Sequence, residues 1–208
     1  MMLLERVAQQ VGNLPPLPDA ATRALGLINN PRSSMADLAE VIHLDPALAG
    51  IVLRCANSAY YAPISEIQTV QQAVAYLGHV TVRNLVVVAS TQGLLARALP
   101  GYGMQRDELW KHSVAVATGA HIFARLRVPA QAEAAYHAGL LHDIGKLALD
   151  SFWQNRGELV PIVTPTLETE RALMGIDHAA VGSELARRWN LPAGLAEGIA
   201  FHHEPQRA

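Results

Sequence analysis

The chain has 208 residues and a formal net charge of −2 at pH 7; half its residues are hydrophobic and 16% are charged. That balance excludes a disordered polymer and supplies enough apolar side chains for a sizeable core. It also lacks the basic surplus that non-specific nucleic-acid binding requires, so no nucleic-acid partner is expected.

The opening residues Met1 to Arg6 become charged too soon for a secretory leader, and a first helix is predicted over about 3–11. Leu14-Pro15-Pro16-Leu17-Pro18 reads as a stiff extended entry, with Asp19 capping a helix to about Asn29. Ser34, with Asp37 three residues on, reads as a partial capping box opening a helix with apolar positions Met35, Leu38, Ala39 and Ile42. Asp45-Pro46 breaks and restarts the helix, as cap and first-turn proline. The next stripe is Leu48, Ile51, Val52 and Cys55. Cys55 is the single cysteine, so no internal disulfide framework exists and a cytoplasmic setting fits. The pair of helices over 37–54 has the order of a helix–turn–helix. Its second helix offers only Arg54 to DNA, which disfavours that reading.

Asn57 to Ser65 reads as a loop. Thr69 to Leu77 is predicted helical with Gly78 as its C-cap, and a further helix runs from Val82 to about Leu99. The longest uninterrupted apolar run there, Leu85 to Ala89, is far short of the roughly 18 residues of a membrane span, so no membrane partner is expected. Pro100-Gly101-Tyr102-Gly103 is a breaker and sets the expected boundary between lobes 1–103 and 104–208. Beyond it, helices are predicted over about 106–125, from Ala130 through Leu141 and onward, and over 168–174, 178–190 and 192–203. Residues 151–167, with Pro161 and Pro165, show the weakest pattern.

Seven of nine histidines lie between residues 112 and 203. On a helix, with about 100° between neighbours, His142, Asp143 and Lys146 share one arc. An imidazole beside a carboxylate is half a metal site, and a nearby ammonium can hold a phosphate oxygen. The further ligand candidates are His112, His178, His202 and His203. His121 lies nine residues from His112, on the opposite face, and His137 lies off the arc. His43 and His79 sit at helix ends in the first lobe, facing terminal carbonyls or water. The metal these ligands suit is a divalent transition ion: iron, manganese, nickel or zinc.

Gly139-Leu140-Leu141-His142-Asp143-Ile144-Gly145-Lys146 resembles the core motif of the HD superfamily of metal-dependent phosphohydrolases. The chain as a whole is similar to the HDOD branch. The likeness is carried by Leu14 to Pro18, Asp45 to Leu48, Asn57 to Tyr61, Ala73 to Arg83, Leu109-Trp110 with His112-Ser113, Glu170 with Gly175 to His178, Trp189 to Pro192, and His202-His203. This resemblance implies an all-α fold, an N-terminal helical lobe packed on an HD-like bundle. It implies a bacterial signal-transduction output module acting mainly through a signalling protein or a fused sensor or receiver domain. Its alternative is a phosphohydrolase similar to cyclic-nucleotide phosphodiesterases, with His112, His142 and Asp143 as ligands and Lys146 neutralising phosphate charge. No aspartate follows His203, and the Gly-Tyr-Pro signature of cyclic-dinucleotide phosphodiesterases is missing, so the expectation leans away from catalysis.

Overall fold

The computed structural model describes residues 17–28, 30, 32–154 and 165–207. The helix expected over 3–11 and most of the weakly patterned stretch after 151 lie outside them. Among the described residues the fold is all-α, the one pairing of extended backbone being an isolated bridge between Leu99 and Met104.

The chain divides into two compact units, residues 17–92 and residues 93–207. The first begins with α1 (Asp19–Ile28), α2 (Met35–His43) and α3 (Pro46–Ala56). α1 packs on α2 and α2 on α3. Ala24, Leu25, Leu38, Ile42, Val52 and Ala56 are buried at the spacing of single helix faces. The capping box is complete: Asp37 N–H donates to Ser34 Oγ and Ser34 N–H donates to the Asp37 carboxylate. Asp45 receives the backbone N–H groups of Ala47 and Leu48, with Pro46 in the first turn. Asp19 departs from expectation by one position. The Pro18 carbonyl accepts from Thr22 N–H, so Pro18 stands at the cap and Asp19 lies in the first turn. There its negative charge still favours the positive end of the helix.

α4 (Val70–Leu95) contains a break at Gly78, with φ 76° and ψ 166°. Only glycine occupies that region at low cost, which is why a glycine joins the two expected helices. By length and mean hydropathy α4 is long and apolar enough to cross a membrane, a match that counting uninterrupted apolar runs does not find. The helix stops at Leu95, short of Leu99, which is instead bonded to Met104.

The second unit holds α5 (Glu108–Arg127), α6 (Ala132–Leu141), α7 (Lys146–Gln154), α8 (Leu167–Met174), α9 (His178–Arg188) and α10 (Ala193–Phe201). α5 lies along α6, α10 packs on both α6 and α9, and α7 packs on α9. Pro100–Tyr102, a single 3-10 turn, packs on α7 within this unit. The units therefore divide upstream of the Pro100–Gly103 breaker. Leu140, Leu141, Ile144, Leu149, Trp153, Leu185 and Ile199 are almost fully buried, each contributing roughly 1.5–3 kcal/mol of apolar burial.

Candidate metal centre

The His-Asp pair does not ride on a helix. Residues 142–145 form the turn between α6 and α7, which corrects the single-arc argument. The turn is compact because of Gly145. A Cβ there would stand 2.0 Å from the His178 carbonyl oxygen and 2.7 Å from the Gly182 nitrogen. Glycine is what allows the first turn of α9 to approach the His-Asp turn this closely, and that approach brings His178 to Asp143.

The other five candidate ligands gather around the Asp143 carboxylate, which is only 2% exposed. Oδ2 lies 3.3 Å from His142 Nε2, 3.5 Å from His112 Nε2 and 2.6 Å from Lys146 Nζ, whose ammonium donates to it. Oδ1 lies 3.2 Å from His178 Nε2 and 3.8 Å from His202 Nε2. His203 Nε2 stands 2.9 Å from His178 Nε2, and His112 Nε2 stands 3.2 Å from His142 Nε2. The ligand atoms form two groups, His112–His142–Asp143 and Asp143–His178–His202–His203, each within 4.8 Å. His121 and His137 stay outside: His121 faces Glu133, and His137 Nδ1 donates to the Glu133 carbonyl.

The outer nitrogens explain which atom each ring presents. His142 Nδ1 donates to the Gly139 carbonyl at 2.7 Å, and His202 Nδ1 to the Ile199 carbonyl at 2.7 Å. His178 Nδ1 donates to Glu170 Oε2 at 2.7 Å. A neutral imidazole that donates through Nδ1 has a bare lone pair at Nε2. Two such lone pairs, those of His142 and His202, face a carboxylate, which is also an acceptor. His202 Nε2 is buried and has no hydrogen-bond partner. Acceptors facing acceptors repel, and a cation among them removes the conflict. The residues thus fit a divalent metal, with the outer hydrogen bonds orienting the rings as metal-bound histidines require.

The electrostatics separate the rings. Burial works against the Asp143 carboxylate. The neighbouring imidazoles of His142 and His178 and the Lys146 ammonium outweigh it, holding the group well below the ordinary carboxylate range. Burial lowers His202 to about 4 and also lowers His112 and His203, which keeps these rings neutral and able to ligate. For His178, burial acts downward, but its hydrogen bonds to Asp143 and Glu170 prevail and raise it, so a metal ion at this ring would have to displace the Nε2 proton.

Two contributors escape a reading by histidine count. Glu170 is 1% exposed and accepts both the ring Nδ1–H and the backbone N–H of His178 through Oε2. Tyr102 donates its hydroxyl to Glu170 Oε1 at 2.8 Å. Glu170 is among the residues that carry the family likeness. Tyr102 gives no local signal, since 68 residues separate it from Glu170. Asp177 caps α9 by accepting from Ala180 N–H and takes the Arg171 guanidinium at 2.6 Å, fixing the start of the helix that bears His178.

A family model for the HDOD domain matches residues 14–205. An uncharacterized protein of Treponema pallidum is 27% identical over 216 residues, covering 97% of this chain and 40% of that protein. A solved Shewanella amazonensis protein assigned as a phosphohydrolase is 31% identical, with TM-score 0.71 over 98% of this chain and 73% of that one. A solved HDOD domain protein of Geobacter sulfurreducens, of unknown function, is 26% identical, with TM-score 0.67 over 99% of this chain and 72% of that one. The chain thus spans less than half the length of its Treponema relative.

Proposed function

The chain belongs to the HDOD domain family, and on that footing we propose that it is a metal-dependent phosphohydrolase module of a signal-transduction protein. The observation that carries this reading is the convergence of imidazole Nε2 atoms on both oxygens of the buried Asp143 carboxylate. His112, His142 and Asp143 would hold one divalent transition-metal ion; Asp143, His178, His202 and His203 would hold another. A bound ion there supplies Lewis acidity for a phosphoryl oxygen and a lowered pKa for a coordinated water.

The chain's own groups do the rest. Glu170 orients His178, and backbone carbonyls orient His142 and His202. Lys146 places an ammonium beside the centre, where it can neutralise a phosphate oxygen. His112 is about half exposed, so the centre is open to solvent on its side. The phosphohydrolase assignment of the 31% identical Shewanella protein supports the reading.

A second reading is a regulatory output module acting through a partner protein or a fused domain. The observation favouring it is that the matching Treponema protein is more than twice as long as this chain's match. On this reading the metal site serves structure and regulation.

The test is elemental analysis of protein purified without chelator or nickel resin, beside a His142→Ala, Asp143→Ala variant, then a screen of cyclic dinucleotides and phosphodiesters. One or more metal ions per chain, lost in the variant, with metal-dependent turnover, is the expected result. No metal in either sample refutes the site. Metal without turnover on any phosphoryl substrate moves the assignment to the regulatory reading.

A further inference from the structure

Pro100–Gly103 was legible only as a breaker, yet its geometry is built around one side chain. A Cβ on Gly101 would stand 2.5 Å from the Asp150 carbonyl oxygen and 2.6 Å from Trp153 Cβ, so the turn is pressed onto α7. Gly101 N–H donates to Asp150 Oδ1 at 2.8 Å. Gly103 closes the turn at φ 69°, and the Leu99–Met104 bridge clamps its ends. The residue this presents is Tyr102. Its ring meets Trp153 edge-on at 6.3 Å, with the Lys146 ammonium 5.9 Å from its centroid. Its hydroxyl donates to Glu170 Oε1, while Glu170 Oε2 holds His178 at two points.

We infer that Tyr102 is a positioning residue for the metal centre: it fixes Glu170, which fixes His178 Nε2 toward Asp143. The inference rests on reading the cluster as a metal site. Glu170 approaches His178 from a different helix, and a second tether on its carboxylate restricts the rotation that would carry Oε2 away from the ring. With Oε2 committed twice to His178, the tether must reach Oε1, and the Tyr102 hydroxyl is the donor found there. Burial, reinforced by the charge of Glu170, pushes the Tyr102 hydroxyl far above its ordinary pKa, so it remains a donor at every working pH. Through its ring the same side chain also flanks Lys146, the ammonium bound to the other oxygen of Asp143. One loop residue therefore braces groups on both sides of the central carboxylate.

The experiment measures Co2+ affinity by chelator competition for the wild type, Tyr102→Phe, Glu170→Gln, the double variant and Tyr136→Phe. Phenylalanine keeps the ring against Trp153, and Glu170→Gln keeps an oxygen for the Tyr102 hydroxyl, so the two variants test the chain from both ends. Outer hydrogen-bond partners of metal-bound histidines are worth about 10–100-fold in affinity. The expected losses are in that range for Glu170→Gln and about tenfold for Tyr102→Phe. The double variant should bind no more weakly than Glu170→Gln alone, because Tyr102 acts through Glu170. Tyr136→Phe should match the wild type. Unchanged affinity in Tyr102→Phe, or a double-variant loss equal to the product of the single losses, overturns the inference. Should the wild type take no Co2+, the metal reading falls by itself. The positioning role is then decided by hydrogen exchange at the His178 backbone amide: faster exchange in Tyr102→Phe upholds it, and an unchanged rate overturns it.

Discussion

Gly145→Ala tests how the centre is assembled. The added methyl would lie 2.0 Å from the His178 carbonyl oxygen and 2.7 Å from the Gly182 nitrogen, both backbone atoms of α9. A relaxed carbon–oxygen contact is about 3.3 Å, so the carbonyl must retreat by roughly 1.3 Å. No side-chain rotation can supply that movement; the first turn of α9 must shift. Overpacking of this kind costs about 1–3 kcal/mol, and a clash against two backbone atoms of one helix belongs at the upper end, about 3 kcal/mol. For a chain of this size that lowers Tm by roughly 6–12 °C. His178 sits on the carbonyl that moves, so metal uptake should fall with stability. Urea denaturation of metal-free protein, with elemental analysis of the same preparations, measures both. A loss below about 0.5 kcal/mol with full metal uptake would refute the reasoning, because such close packing cannot admit a methyl group that cheaply.

Gly119→Ala is the contrasting case: it lies inside α5 with nothing within 4 Å of the new Cβ, so the same denaturation should show a gain of about 0.5–1 kcal/mol. Lys146→Met removes the ammonium that lies 2.6 Å from Asp143 Oδ2. Chelator competition should then show tighter metal binding, because no cation competes for that oxygen, while inhibition by inorganic phosphate should weaken. Ser34→Ala takes away the acceptor for Asp37 N–H and should cost about 1 kcal/mol in urea denaturation of the first unit. Metal at a hundred times its Kd should stabilise the protein by about 2.7 kcal/mol, and EDTA or Asp143→Asn should abolish that increment in a thermal scan.

The residues of the centre were legible because imidazoles are scarce and here they cluster; their convergence was not, because it depends on turns. The expectation that His142, Asp143 and Lys146 lie together holds, although the backbone there is a turn and not the helix that motivated it. Ser34, Asp45 and Gly78 announced their roles because capping and positive φ are local chemistry that short sequence windows contain. Gly145 and Gly101 announced nothing of theirs. Their requirement is space, and the atoms that take up that space belong to residues 178 and 182 in one case and to residues 150 and 153 in the other. The pairing of Glu170 with Tyr102 is hidden for the same reason: a carboxylate and a phenol are common side chains, and only the fold makes partners of them.

The break at Gly78 also bears on α4 as a length of apolar rod. Residues 70–77 and 79–95 are pieces of eight and seventeen residues. At about 1.5 Å per residue they measure roughly 12 and 26 Å, against a hydrocarbon layer about 30 Å thick. A helix whose overall hydropathy suits a bilayer is thereby cut into two segments, each shorter than the roughly 20 residues that a span usually takes.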